Sequence, residues 1–180
     1  LPFWRDWVQH PVYDAYWEPF NDEQRWGEIA APALNMGGWY DLYAQHTFIN
    51  FNGLRQHGRT PEARQSKLIV GPWPHALSTS PRTGDIDFGA HSMVDLEGLE
   101  LRWFDYWLKG IDNGIEKEPA VRYYVMGATG EAGAPGNVWR EAADWPPAAK
   151  ETSFYLHDEG VLKSETPSAS SSGTSYDCDP

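Results

Sequence analysis

The chain has 180 residues, with 14 Lys plus Arg against 26 Asp plus Glu, which gives a formal net charge of −12 at pH 7. This acidity argues against nucleic acid or an anionic membrane surface as a partner, because both bind clustered cations, and no apolar run approaches the roughly 20 residues that span a bilayer. The single cysteine, Cys178, excludes an internal disulfide and a cysteine-based zinc site, whereas 10 Trp, 9 Tyr and 7 Phe predict an aromatic core or apolar pockets.

The first part of the chain predicts short helices. Residues 3–28 place aromatic side chains three and four positions apart, which is typical of helices with one apolar face. Pro11 and Pro19 are expected to divide these helices, since proline interrupts a helix interior. Asn21 precedes two acidic residues and predicts a helix start, where carboxylates favour the positive end of the helix dipole.

The next part alternates strand and helix patterns. The mostly apolar run 32–36 leads into two glycines, which predicts a buried parallel strand that ends in a tight loop. Residues 42–57 carry an apolar stripe and predict a helix that ends at Gly58. Residues 67–70 have the sequence KLIV and predict a second buried strand.

A long loop and the strongest helix pattern follow. Residues 76–92 are rich in Gly, Pro, Ser and Asp, which predicts a loop. Residues 93–109 place large apolar side chains at helical spacing up to Gly110, and they predict a helix that this glycine ends. Strand, helix, strand, loop and helix in this order predict an α/β fold with a parallel sheet.

The pattern changes near residue 119. Residues 120–126 predict a strand, and residues 139–145 and 153–156 predict further short strands. Turn-rich segments between them indicate an all-β module. The Ser/Thr-rich residues 164–175 predict a flexible connection.

Two residues with catalytic chemistry follow the carboxyl ends of the two predicted parallel strands. Asp41 comes just after the first strand, and His75 comes just after the second. Ligands of open parallel sheets lie beyond these strand ends, so a carboxylate and an imidazole are expected to meet there. The carboxylate would fix the histidine tautomer, as an acyl-transfer base requires. The alternative is structural, with an aspartate that binds loop amides and a histidine packed among tryptophans.

The stretches around Asp41 and His75 resemble those of a known hydrolase family. Residues 37–41 are GGWYD and residues 68–75 are LIVGPWPH, and both resemble the cocaine esterase and X-Pro dipeptidyl-peptidase-like (CocE/NonD) serine hydrolases. The resemblance implies that Asp41 and His75 are the acid and the base of a Ser-His-Asp triad. Further stretches are similar to the same family: 10–17, 102–110, 121–126, 139–140, 144–147 and 154–157.

The resemblance also implies the domain organisation. It implies the end of a helical cap over residues 1–28, the C-terminal part of an α/β-hydrolase core over residues 29–118, and the beginning of an all-β jelly-roll domain over residues 119–180. The family's G-x-S-x-G nucleophile motif does not occur in the 180 residues. The serines before the Ser/Thr-rich tail lack its flanking glycines and its strand-to-helix context: Ser66, Ser78, Ser80, Ser92 and Ser153. We therefore expect an internal piece of a longer enzyme, with the serine upstream, that is inactive alone.

The mechanism implied by the resemblance needs no metal or organic cofactor. The serine attacks an ester or amide carbonyl, His75 transfers its proton to the leaving group, Asp41 orients His75, and water releases the acyl group. The expected partner is a small-molecule ester or amide, and a homo-oligomer of the full-length enzyme is left open.

The acyl side of the substrate is indicated by the residues that follow Asp41. In the family's amino-acid ester hydrolases, acidic residues stand two and three positions after the triad aspartate, where this chain has Tyr43 and Ala44. Tyr43 is therefore expected to line an apolar or aryl acyl pocket, unless it only begins the core face of its helix. Further candidate substrate-binding residues, for which buried packing is the alternative, are Trp39, Tyr40 and Trp73.

Three other functions remain as alternatives. Two are enzymatic: an X-Pro dipeptidyl peptidase and an α-amino-acid ester hydrolase or acylase. The third belongs to another class, a binding or structural relative that has no nucleophile.

Overall fold

The computed structural model describes residues 2–157 and 160–168. The α-helices are α1 (Trp4–Gln9), α2 (Ala44–His57) and α3 (Leu96–Lys109). The strands are β1 (Leu34–Gly38), β2 (Lys67–Gly71), β3 (Arg82–Thr83), β4 (Ile86–Asp87), β5 (Val121–Val125), β6 (Val138–Ala142), β7 (Tyr155–His157) and β8 (Val161–Lys163). The chain divides into two compact units after Pro147.

The first 28 residues contain less α-helix than their spacing predicts. Only α1 is an α-helix there, and three single 3-10 turns follow it at Glu18–Phe20, Asp22–Gln24 and Trp26–Glu28. Side chains compete for the backbone in this segment, since the Asp14 carboxylate accepts the Tyr16 amide at 2.9 Å. The predicted start at Asn21 is confirmed, because its side chain accepts the Glu23 amide.

The main sheet has four strands in the order β1-β2-β5-β6. β2 is parallel to both β1 and β5, and β6 is antiparallel to β5. All five residues of β2 are buried, which explains why its sequence is a continuous apolar run after one lysine. Gly38 pairs with Gly71 at the last position of the β1–β2 register, so both strands end at the same level.

The two long helices match their sequence patterns closely. α2 ends at Gly58 as predicted. α3 begins after Asp95, whose carboxylate accepts the Gly98 amide at 2.9 Å, and ends at Gly110 in a left-handed conformation. α2 begins two residues and α3 three residues later than predicted, because the apolar stripe does not locate the first residue of a helix.

The strand predicted at residues 120–126 is part of the main sheet. β5 pairs with β2 in the main sheet, in register Leu68↔Val121 to Val70↔Tyr123, whereas the sequence placed it in a separate all-β module. The sheet therefore continues across residues 118 and 119. A strand pattern shows that a segment is extended but not which strand it pairs with, which is why the sequence missed this. The jelly roll beyond it stays a prediction.

The core lies between α2 and the centre of the sheet. Phe51 of α2 packs with Leu68 and Val70 of β2 and with Val121 of β5, and each is at most 2% exposed. Burial of each such side chain stabilises the fold by about 1.5–3 kcal/mol. Among the residues that the structure describes, no helix is long and apolar enough to cross a bilayer.

The second unit contains one antiparallel hairpin in its described part. β7 pairs with β8 in register Tyr155↔Lys163 to His157↔Val161, and the His157 ring contacts the Glu165 carbonyl at 2.8 Å through Nε2. The strand predicted at 153–156 is found two residues later, and β8 was not predicted. Cys178 and the part of the predicted flexible connection from 169 onward lie outside the described residues.

Candidate active site

The loops that follow β1 and β2 stay paired after the two strands end. The Trp39 amide donates to the Gly71 carbonyl at 2.9 Å, and the Tyr40 amide donates to the Trp73 carbonyl at 3.1 Å. These bonds carry the two loops side by side past the carboxyl edge of the sheet. Asp41 and His75 each come directly after this paired stretch, so the backbone brings them to the same place.

Glycine allows the two loops to approach this closely. A Cβ on Gly38 would lie 1.9 Å from the Trp73 carbonyl oxygen, and a Cβ on Gly71 would lie 2.3 Å from the Trp73 ring. No side chain fits at either position without movement of the loop. Gly38 and Gly71 therefore allow the two loops to pair. A glycine in a loop motif does not indicate this role by itself.

Asp41 and His75 form a hydrogen-bonded pair. The Nδ1 atom of His75 lies 3.1 Å from Oδ2 and 3.2 Å from Oδ1 of Asp41. A carboxylate at Nδ1 favours the tautomer with its proton on that nitrogen, which leaves Nε2 on the other side of the ring as a proton acceptor. The predicted meeting of these two side chains is confirmed, and the geometry is that of a base and its orienting acid.

The carboxylate of Asp41 is largely removed from solvent, with 5% of its side chain exposed. Burial on its own raises the pKa of Asp41, but the Tyr43 amide, which donates to Oδ1 at 2.8 Å, and the His75 ring outweigh it and bring the pKa below its ordinary value. Asp41 is therefore ionised at neutral pH. A buried anion of this kind stabilises a positive charge on the adjoining imidazole.

The imidazole of His75 faces outward, with 66% of its side chain exposed. The ring of Tyr43 lies beside it, with a centroid distance of 5.3 Å and an interplanar angle of 68°. Tyr43 is itself 55% exposed. A reacting group thus has access to His75 from solvent.

The four candidate substrate-binding residues differ in exposure. Tyr40 and Tyr43 are exposed near Asp41 and His75, Trp39 is partly buried and Trp73 is buried. Trp73 is only 1% exposed, donates through Nε1 to the Ser92 carbonyl at 3.3 Å and packs against Trp139. This burial matches the packing alternative stated for Trp73.

Trp39 is partly buried. Its indole Nε1 donates to the Tyr124 carbonyl at 2.7 Å, and its ring stacks on Phe48 at 5.5 Å and contacts Trp145 at 5.9 Å. These contacts attach the loop before Asp41 to the core. A substrate contact of Trp39 stays a prediction.

The loop that carries His75 has anchors that no sequence pattern indicated. Thr83, in the β3–β4 hairpin, donates its hydroxyl to the Pro72 carbonyl at 2.8 Å. Ser78 donates to the Val94 carbonyl at 2.9 Å and accepts the Val94 amide at 2.8 Å. Thr83 and Ser78 therefore hold the loop that carries His75 in place. Both bond to residues that are far from them along the chain, and sequence patterns do not specify such contacts.

Among the described residues, neither the serine that follows His75 most closely nor a metal cluster adds a further reactive group to the pair. Ser78, three residues after His75, is occupied by its two bonds to Val94. Within residues 2–157 and 160–168, no three His, Cys, Asp or Glu side chains converge as metal ligands do. The arrangement provides a proton acceptor and its acid, and it requires a nucleophile from elsewhere.

Two family models match the chain. The model described as X-Pro dipeptidyl-peptidase (S15 family) matches residues 1–77, and the model described as X-Pro dipeptidyl-peptidase C-terminal non-catalytic domain matches residues 113–177. The first match includes Asp41 and His75.

The chain is also similar to an esterase and to two hydrolases of known structure. The chain is 31% identical over 163 residues to cocaine esterase of Rhodococcus sp. (strain MB1 Bresler), which covers 88% of this chain and 26% of that protein. The structure of an α-amino acid ester hydrolase superposes on this chain with a TM-score of 0.62 at 23% identity. The superposition covers 96% of this chain and 28% of the hydrolase. A CocE/NonD family hydrolase from Staphylococcus aureus superposes with a TM-score of 0.55 at 19% identity, over 89% and 25% of the two chains. The chain thus spans about a quarter of the length of the relatives it matches.

Proposed function

The chain belongs to the X-Pro dipeptidyl-peptidase-like (CocE/NonD) hydrolase family, and from this membership we propose that it supplies the acid and the base of a serine acyl hydrolase. His75 is the general base and Asp41 is the acid that orients it. The observation that carries the proposal is the contact of Nδ1 of His75 with both carboxylate oxygens of Asp41 at 3.1 and 3.2 Å.

The reaction proceeds through an acyl-enzyme. A serine of the complete protein, outside these 180 residues, attacks the carbonyl carbon of an ester or amide while Nε2 of His75 takes its proton. His75 then gives the proton to the leaving group. In the second half of the reaction, water attacks the acyl-enzyme while His75 takes its proton, and His75 returns the proton to the serine as the acyl group leaves. Asp41 remains ionised throughout and stabilises the imidazolium that forms in each step.

An ester with an apolar acyl group is the proposed substrate. Tyr43 and Ala44 stand where the amino-acid ester hydrolases have acidic residues that hold the substrate ammonium, and Tyr43 is exposed beside His75. These two uncharged positions suit an apolar acyl group, whereas a free ammonium finds no carboxylate at either position. Cocaine esterase, to which the chain is similar, is named for an ester substrate.

X-Pro dipeptidyl peptidase activity is the second candidate, and the descriptions of both matching family models favour it. Such an enzyme binds the free amino end of its substrate. Turnover of Gly-Pro-p-nitroanilide against p-nitrophenyl acetate separates the two candidates: we expect the complete protein to hydrolyse the ester faster. Faster cleavage of the anilide would replace the ester proposal with the peptidase.

A fluorophosphonate probe tests the reaction class, because it modifies a serine only when a base activates it. We expect one adduct by mass spectrometry of the complete protein, on a serine outside these 180 residues. The adduct should be lost in His75→Ala and retained in His46→Ala, a matched change at an exposed histidine of α2. Labelling that persists in His75→Ala, or no labelling of the wild type, would contradict the proposal.

A further inference from the structure

Tyr43 contacts both members of the catalytic pair, through different parts of the residue. Its amide donates to Oδ1 of Asp41 at 2.8 Å. Its ring meets the His75 imidazole at a centroid distance of 5.3 Å and an angle of 68°. Edge-to-face geometry of this kind sets the partly positive edge of one ring against the electron-rich face of the other, which is a favourable arrangement.

The backbone of Tyr43 is fixed at the start of α2. Its carbonyl accepts the Thr47 amide at 3.2 Å and the Thr47 hydroxyl at 3.3 Å. The ring therefore projects from an anchored position, whereas His75 lies on a loop.

His75 needs a second support besides Asp41. Two-thirds of its side chain is exposed, and the carboxylate holds one edge of the ring only. Rotation about the axis from Nδ1 to the carboxylate keeps that bond and moves the plane of the ring. A ring packed against the imidazole limits this rotation and so fixes the direction in which Nε2 points.

From this geometry we infer that Tyr43 is a positioning residue that holds the His75 imidazole in its catalytic orientation, which rests on the proposed function of His75 as the base. The ring acts through His75 and not through the acyl group. This role differs from an acyl-pocket contact in what it predicts. Loss of the ring slows turnover of every ester alike, whatever the size of its acyl group.

Steady-state kinetics of the complete protein on p-nitrophenyl acetate and p-nitrophenyl benzoate test the inference. We expect Tyr43→Ala to lower kcat about 3- to 10-fold on both esters with little change in KM, and Tyr43→Phe, which keeps the ring, to retain nearly full activity. Leu42→Ala is the matched control, since it shortens the exposed side chain next to Tyr43. Circular dichroism of each variant checks that it is folded.

A double-mutant cycle with His75→Ala then separates positioning from substrate contact. A residue that acts through His75 has nothing to position once the imidazole is gone, so adding Tyr43→Ala to His75→Ala should leave the residual rate unchanged. A loss confined to the benzoate ester, a rise in KM, or a further loss in the His75→Ala background would overturn the inference and leave the proposed function standing. Wild-type turnover by His75→Ala would overturn both.

Discussion

Replacement of Gly38 by alanine tests whether the close approach of the two loops builds the catalytic pair. The new Cβ would lie 1.9 Å from the Trp73 carbonyl oxygen, whereas ordinary contact begins at 3.4 Å. The two loops must therefore separate by about 1.5 Å at this point. The obstacle is backbone on both sides, so no side-chain rotation relieves it.

The separation has consequences for stability and for catalysis. The bond from the Tyr40 amide to the Trp73 carbonyl, 3.1 Å long, is lost. Overpacking costs about 1–3 kcal/mol and the lost hydrogen bond about 1 kcal/mol, so we expect the free energy of unfolding to fall by about 2–4 kcal/mol. If even 1 Å of the shift reaches His75, its contacts with Asp41 exceed hydrogen-bond length and turnover falls about 100-fold.

Gly37→Ala is the matched control for Gly38→Ala. It adds the same methyl group one residue earlier in β1, where the nearest atom is the Thr47 Cγ2 at 3.2 Å, on a side chain that can adjust. Urea denaturation gives the stability of both variants, and p-nitrophenyl acetate hydrolysis by the complete protein gives their activity. Equal stability and activity of the Gly37→Ala and Gly38→Ala variants would show that the close approach of the two loops does not position Asp41 and His75.

The remaining predictions concern the acid and a helix cap. Asp41→Asn should lower kcat about 10³- to 10⁴-fold, because a neutral amide neither fixes the tautomer of His75 nor stabilises its positive charge; a loss below tenfold in ester hydrolysis would contradict this role. The pKa of Asp41 lies below its ordinary value in the folded chain, so its charge stabilises the fold above about pH 4, and this contribution is lost as the pH falls through the depressed folded pKa. Urea denaturation from pH 7 to pH 3 should show the stability difference between wild type and Asp41→Asn narrowing, and a constant difference would show that the charge of Asp41 is unimportant. Asp95→Ala removes the carboxylate that accepts the Gly98 amide and should cost about 0.5–2 kcal/mol by thermal or urea unfolding, whereas an unchanged midpoint would exclude a stabilising cap.

Elements whose ends are set by residues close to them in the sequence were predictable. α3 is bounded by Asp95, which caps its first turn, and by Gly110, which adopts the left-handed conformation after its last turn. The two parallel strands end at the glycines that follow their apolar runs, Gly38 and Gly71, and this placed Asp41 and His75 beyond strand ends. The pair was predictable because parallel strands present their carboxyl ends at one edge of the sheet.

Features that depend on distant partners were not predictable. The sequence left open whether Trp73 contacts a substrate or packs in the interior, because its burial depends on Ser92 and Trp139, which only the folded chain brings to it. β5 carried a clear strand pattern, yet its pairing with β2 depends on a contact across some 50 residues. The ring contact of Tyr43 with His75 follows from the loop geometry and from no spacing rule.

The role of His75 as the base is tested by the turnover of a p-nitrophenyl ester by the His75→Ala and His46→Ala variants of the complete protein. Both changes remove an exposed imidazole, but only His75 is bound to a buried carboxylate at the end of a parallel strand. We expect a loss of about 10³-fold or more in kcat for His75→Ala and near wild-type kcat for His46→Ala. Retention of wild-type turnover by folded His75→Ala would contradict the assignment of His75 as the base.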